Sequence, residues 1–173
     1  MKKAVVVAAV LAAMMVYAGC SKKVEPPKDI QSFNCDSLDG ILTEGVATVD
    51  TQNPAEGAGS LKFSVAQPVT LPLFEIKLPG DGAKFTLTYK MKVKDFSGDA
   101  YGQMDVNYAN GGKQSLNNYQ SAMGATSDWQ PRELTYTVQR GQKVSSIVLS
   151  LILNGSGTVW IDDVHLIRAP LPE

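Results

Sequence analysis

Apolar and polar residues alternate along most of this chain. Leu61, Phe63 and Val65 alternate with Lys62 and Ser64. Phe85, Leu87, Tyr89, Met91 and Val93 alternate with Thr86, Thr88, Lys90 and Lys92, and Leu134, Tyr136 and Val138 with Thr135 and Thr137. A period of two turns successive side chains to opposite faces, so each segment predicts a strand with one buried face. Between them lie turn-forming clusters: Asn53-Pro54-Ala55-Glu56-Gly57, Pro79-Gly80-Asp81-Gly82, Ser97-Gly98-Asp99, Asn110-Gly111-Gly112 and Asn154-Gly155-Ser156-Gly157. After residue 19 no segment carries the apolar stripe of a helix. Many short strands with such turns predict an all-β fold, a single antiparallel β-sandwich or barrel.

One segment departs from alternation. Lys2 and Lys3 precede an unbroken apolar run, Ala4 to Ala18, and Ala18-Gly19-Cys20 follows. A basic start, an apolar core and a small-residue exit describe a secretory signal peptide. The run is shorter than the ~20 apolar residues of a transmembrane helix. Cysteine directly after Ala-Gly resembles the lipobox of bacterial lipoproteins. That resemblance implies cleavage before Cys20, acylation of its thiol and an exported domain tethered to the cell envelope. Several acyl chains on one residue satisfy the need of a stable anchor for more than one lipid signal. Ser21 rather than an acid follows, which in that family favours the outer membrane.

Charge and cysteine usage fit export. The chain carries 17 acidic against 16 basic side chains, and the signal peptide removes Lys2 and Lys3 but no acid. There is no basic footprint for nucleic acid. With Cys20 acylated, Cys35 is the only other cysteine, so no internal disulfide forms. Cys35 reads as a small buried residue at the start of the domain. Residues 20–31, with Glu25-Pro26-Pro27-Lys28-Asp29, read as the lipidated cysteine and a semi-rigid tether. The globular domain is expected over 32–168, and a proline-containing tail over 169–173.

The C-terminal third carries a more specific pattern. Asp128-Trp129-Gln130-Pro131 leads into Leu134–Val138, the apolar run Ile147–Leu153 follows, and after a glycine-rich turn the chain closes on Thr158-Val159-Trp160-Ile161-Asp162-Asp163-Val164-His165-Leu166. Earlier stands Gly57-Ala58-Gly59-Ser60-Leu61-Lys62-Phe63. In order and spacing these segments resemble jelly-roll carbohydrate-binding modules of the galactose-binding-like superfamily, in particular the cellulose and xylan binders attached to glycanases. The resemblance implies a jelly-roll sandwich and glycan binding. It also implies a structural calcium ion held by Asp162, with Asp36 or Asp39 as partner; calcium takes six to eight oxygen ligands. Trp129 and Trp160 are expected to pack in the core.

The binding candidate is the segment Tyr101–Tyr108. Alternation sends Met104, Val106 and Tyr108 to the core and Tyr101, Gln103, Asp105 and Asn107 to the other face. An aromatic ring beside amides and a carboxylate suits a sugar: the ring meets C–H surface and the polar groups bond hydroxyls. Asn154 and Ser150, outward on another strand, join this face, and Tyr119 lines its edge. The same pattern is also what the solvated side of an antiparallel sheet looks like. No enzyme is expected. The lone His165 has no nucleophile motif around it, no His or Cys cluster suits zinc, and no glycine-rich loop leads into a helix. Partners are therefore a glycan or, as the competing reading, an envelope protein docked by the same sandwich.

Overall fold

The computed structural model describes residues 25–171. The expected signal segment and the expected lipidation site, Cys20, lie outside the described residues. Eight antiparallel strands form: β1 (Lys28–Phe33), β2 (Ala47–Asp50), β3 (Ser60–Val65), β4 (Val69–Gly80), β5 (Lys84–Tyr108), β6 (Lys113–Asn117), β7 (Met123–Thr137) and β8 (Val144–Ala169). The only helical pieces among the described residues are two three-residue 3-10 turns, Glu44–Val46 and Tyr119–Ser121.

The architecture follows from two long strands. β5 has 25 residues and β8 has 26, and they pair from Lys84↔Ala169 to Tyr108↔Val144. A straight strand of that length would span about 80 Å, roughly twice the diameter of a domain this size. The pair must bend, and it does so where the register shifts between Lys94 and Ser97. At the bend a Cβ on Gly155 would stand 1.6 Å from the Ser97 carbonyl oxygen, so only glycine fits there. The bend folds the ladder into two layers. The back sheet holds residues 84–94 of β5 and 157–169 of β8, flanked by β7 on one side and by β1 and β3 with β2 on the other. The front sheet holds residues 99–108 of β5 and 144–154 of β8, flanked by β6 and β4.

The predicted alternation sets what fills the space between. Phe85, Leu87, Tyr89, Met91 and Val93 from the back sheet meet Met104, Val106, Ile147, Leu149, Leu151 and Leu153 from the front sheet in one continuous core. Full burial of each such aliphatic side chain contributes about 1.5–3 kcal/mol. Cys35 is buried, as the sequence indicates, and burial pushes its thiol pKa well above the ordinary value.

Three expectations change. The domain begins at Lys28 instead of Ser32, because residues 28–33 pair with 164–168 and Phe33 stacks on Phe74 at 4.0 Å between ring centroids. At the other end Ala169 still pairs, with Lys84. Trp160 is buried, at 9% exposure, but outside the central cluster, and Trp129 is only half-buried. Trp160 lies between the inward Val159 and Ile161, so it faces outward on the back sheet; its indole N–H donates to Asp50 Oδ2 at 2.8 Å. Trp129 donates to the Asn53 carbonyl at 3.0 Å. Lys92 lies over both rings, at 6.0 Å from Trp129 and 5.6 Å from Trp160. The two indoles fasten the segment 50–53 onto the back sheet through their N–H edges.

Candidate functional site

The outward face of the front sheet is laid out by pairing. Across β4, β8, β5 and β6, register sets Pro72, Ser150, Gln103 and Asn117 in one row, Glu75, Val148, Asp105 and Ser115 in the next, and Lys77, Ser146, Asn107 and Lys113 in a third. Tyr101 and Ile152 with Thr70 begin the ladder. Tyr101, Gln103, Asp105 and Asn107 thus share one face, while Met104 and Val106 are fully buried behind them.

The middle of this face is recessed. Asp105, Ser146 and Ser150 point outward yet are only 7%, 5% and 3% exposed, whereas Glu75, Lys77 and Lys113 at the margins are open. The polar groups are already oriented. Gln103 Nε2 donates to Asp105 Oδ1 at 3.0 Å, and Lys113 Nζ pairs with Asp105 Oδ2 at 2.8 Å. Asn107 Nδ2 donates to Ser146 Oγ at 3.0 Å. At the upper end Asn154 Nδ2 donates to the Tyr101 hydroxyl at 3.3 Å. There the Tyr101 ring meets Tyr119 edge to face, 5.2 Å between centroids at 76°. Tyr119, on the 3-10 turn after β6, is 54% exposed. The structure brings all five expected binding residues, with Ser150 and Tyr119, onto one surface. Sequence reasoning missed Lys113 and Asn117, because β6 holds only the apolar Leu116 and shows no alternation to read.

The expected calcium ligands do a different job. Asp162 is fully buried. Its Oδ2 accepts the N–H groups of Ala55 at 2.8 Å and Glu56 at 3.0 Å, and its Oδ1 accepts that of Asp163 at 2.7 Å. Asp36 Oδ1 accepts the N–H groups of Ala58 and Gly59 at 2.8 and 2.7 Å, and Asn34 Nδ2 donates to its Oδ2 at 2.8 Å. Asp39 accepts from the Ser37 hydroxyl. A cation needs converging oxygens; here N–H donors converge on the carboxylates. This donor set does not fit calcium, and among the described residues no group of three or more His, Cys, Asp or Glu side chains is placed to hold a metal. The two aspartates instead clamp the loop 53–59 from opposite ends. Burial raises the Asp162 pKa against the pull of the three N–H groups.

Asp163 is the residue that the ladder bulges over, with φ +52 between the pairs Thr88↔His165 and Lys90↔Asp162. Its carboxylate takes Lys90 Nζ at 3.1 Å and His165 Nε2 at 2.8 Å. His165 Nδ1 in turn meets Asp29 of β1 at 2.5 Å. A neutral imidazole has one N–H and one lone pair, so serving two carboxylates requires the imidazolium. Burial lowers the His165 pKa, but Asp29 and Asp163 outweigh it and raise it above the ordinary value. This network ties β1 to β8 and lies on the back sheet, away from the recessed face.

No protein-family model matches the chain. No curated protein matches it in sequence. Solved structures do match in shape. The xylan-binding CBM22-1 domain of Xyn10C from Paenibacillus barcinonensis superposes with a TM-score of 0.60 at 16% identity, covering 84% of this chain and 97% of that one. A family 16 carbohydrate-binding module gives 0.53 at 14% identity, over 75% and 91% of the two chains. The module TmCBM61, solved with β-1,4-galactotriose, gives 0.52 at 16% identity, over 82% and 99%. Identities this low speak to the fold, and the fold of this chain is the jelly-roll β-sandwich of the carbohydrate-binding modules.

Proposed function

We propose that this protein is a non-catalytic glycan-binding lipoprotein of the cell envelope, anchored by lipid on Cys20. One observation carries the binding reading: exposed Tyr119, packed edge to face on half-buried Tyr101, stands at the end of a recessed, pre-oriented row of amide, hydroxyl and carboxylate groups on one sheet face. Tyr119 offers its ring to the C–H surface of a sugar, beside Tyr101. Gln103, Asp105, Asn107 and Asn154 meet the hydroxyls with side chains whose rotamers neighbouring bonds already hold. Groups ordered in advance lose less entropy when a ligand arrives. The modules of like fold that are named for xylan or were solved with galactotriose support the same reading. The Asp105 carboxylate is held by Gln103 and Lys113, which supports a binding role over a catalytic one.

The test is retardation of the protein in native gels containing soluble polysaccharides, one per gel. Retardation by at least one, reduced in Tyr119→Ala and in Gln103→Ala, is expected. Migration unaffected by every polysaccharide would contradict the glycan reading. Leu42 and Val46, 52% and 50% exposed on the loop that bonds β4 through Leu42 N–H and the Leu73 carbonyl, supply the one observation for the competing reading, a protein-docking envelope or adhesion subunit. Crosslinking in cells would then identify the partner. For the anchor, metabolic labelling with a fatty-acid analogue is expected to mark the wild type and not Cys20→Ser.

A further inference from the structure

The exposed ring of Tyr119 is held from inside the sandwich. Tyr89 belongs to the back-sheet part of β5 and is 1% exposed. Its hydroxyl reaches the front sheet at Gly102, where a Cβ would lie 2.0 Å from Tyr89 Oη. The missing side chain leaves a gap through which the phenol meets Asn118. Asn118 Nδ2 donates to Tyr89 Oη at 3.1 Å, the Gly102 N–H donates to Asn118 Oδ1 at 2.9 Å, and the Asn118 N–H donates to the Gly102 carbonyl at 3.3 Å. A buried hydroxyl left unpaired is costly, more so in a low-dielectric interior. The core therefore demands a partner at this point, and that partner is the residue immediately before Tyr119. Burial pushes the Tyr89 pKa up to about 12, so the phenol stays neutral.

The rest of the turn is keyed to the same residue. The Asn118 carbonyl accepts the Ser121 N–H at 2.9 Å and the Ser121 hydroxyl at 3.1 Å, and the Tyr119 carbonyl accepts the Ala122 N–H at 2.9 Å. Asn117 Oδ1 accepts the Tyr119 N–H at 3.2 Å. With these bonds in place the Tyr119 ring sits against Tyr101 at the end of the recessed face. We propose that Tyr89 and Asn118 are positioning residues of the binding face: a hydrogen bond from the core, passing at Gly102, sets the turn that carries the Tyr119 platform. The proposal rests on the glycan-binding reading of that face.

Tyr89→Phe removes one oxygen and leaves the ring packed, so it tests the bond without opening the core. Asn118→Ala removes the clamp from the other side. Two readouts are needed: amide hydrogen exchange of the Ser121 and Ala122 N–H groups, and affinity for a polysaccharide that the wild type binds. Both variants are expected to exchange faster in the turn, with exchange in β8 unchanged. Affinity is expected to fall about three- to tenfold, the range of one hydrogen bond. In a Tyr119→Ala background Tyr89→Phe is expected to cost no further affinity, an outcome that general loosening of the core would not produce. Unchanged exchange in the turn overturns the proposal, whatever the affinity. Faster exchange with unchanged affinity overturns it too. If the wild type binds no glycan, the functional reading fails separately, and exchange in the turn still decides whether Tyr89 sets it.

Discussion

Asp162→Ala isolates the clamp that the sequence resemblance assigns to calcium. The carboxylate is fully buried and accepts three backbone N–H groups at 2.7 to 3.0 Å. Hydrogen bonds to a charged group contribute about 1.5–3 kcal/mol each. The whole set is worth less than three such bonds, because burial raises the Asp162 pKa and so opposes its charge. Ala55 and Glu56 also lie on a loop that water reaches, which replaces part of what they lose. A net loss of about 2–4 kcal/mol follows. For a domain of this length 1 kcal/mol moves Tm by roughly 2–4 °C, so Tm is expected to fall by about 5–15 °C. The assay is thermal unfolding by circular dichroism of wild type and variant, each with excess calcium and with EDTA. Wild-type Tm is expected to be the same in both buffers. A drop of less than about 3 °C in the variant would refute the clamp. A wild-type Tm that EDTA lowers as far as the substitution does would show that a cation, not the N–H groups, holds the loop.

Two further outcomes follow from the geometry. His165 has a raised pKa in the folded state, so its contribution is fully present below the unfolded value of about 6.5 and is lost as pH rises through the folded value. Tm is expected to decline as pH rises above about 6.5 and through the raised folded value, and a pH titration of Asp29→Ala or His165→Gln should show this slope flattened. Cys35 is 3% exposed with its thiol pKa raised by burial, so a thiol reagent is expected to modify it only when denaturant unfolds the chain. Rapid labelling of the native protein would contradict its burial.

Much of the fold is legible because strands with one buried face write their period into the sequence. Phe85 to Val93 alternates without a break, and its apolar members are all buried. The face carrying Tyr101, Gln103, Asp105 and Asn107 was readable for the same reason: parity alone separates it from Met104 and Val106. What parity cannot give is partnership at long range. Asp162 meets Ala55 and Glu56 across more than a hundred residues, and an acid pair in a strand looks the same whether it faces a cation or an N–H group. Trp160 is buried, yet against the outer side of the back sheet and not in the central cluster, because its place between Val159 and Ile161 turns it away from them. Lys28–Phe33 has too few apolar residues to announce a strand; its pairing depends on Asp29 finding His165 and Phe33 finding Phe74. The Tyr89–Asn118 bond is invisible for a further reason: Tyr89 occupies an ordinary core position, and only the space left by Gly102 gives its hydroxyl somewhere to go.

The most direct test of the account compares the two faces of the sandwich by calorimetric titration with the polysaccharide that retards the protein most. Tyr101→Ala removes the ring that supports Tyr119 on the front sheet, and Trp129→Ala removes an aromatic side chain of comparable appeal to a sugar on the back sheet. Tyr101→Ala is expected to lower affinity at least about tenfold, the equivalent of roughly 1.4 kcal/mol, and Trp129→Ala to leave it unchanged. Affinity lost in Trp129→Ala and kept in Tyr101→Ala would move the site to the back sheet and contradict the account.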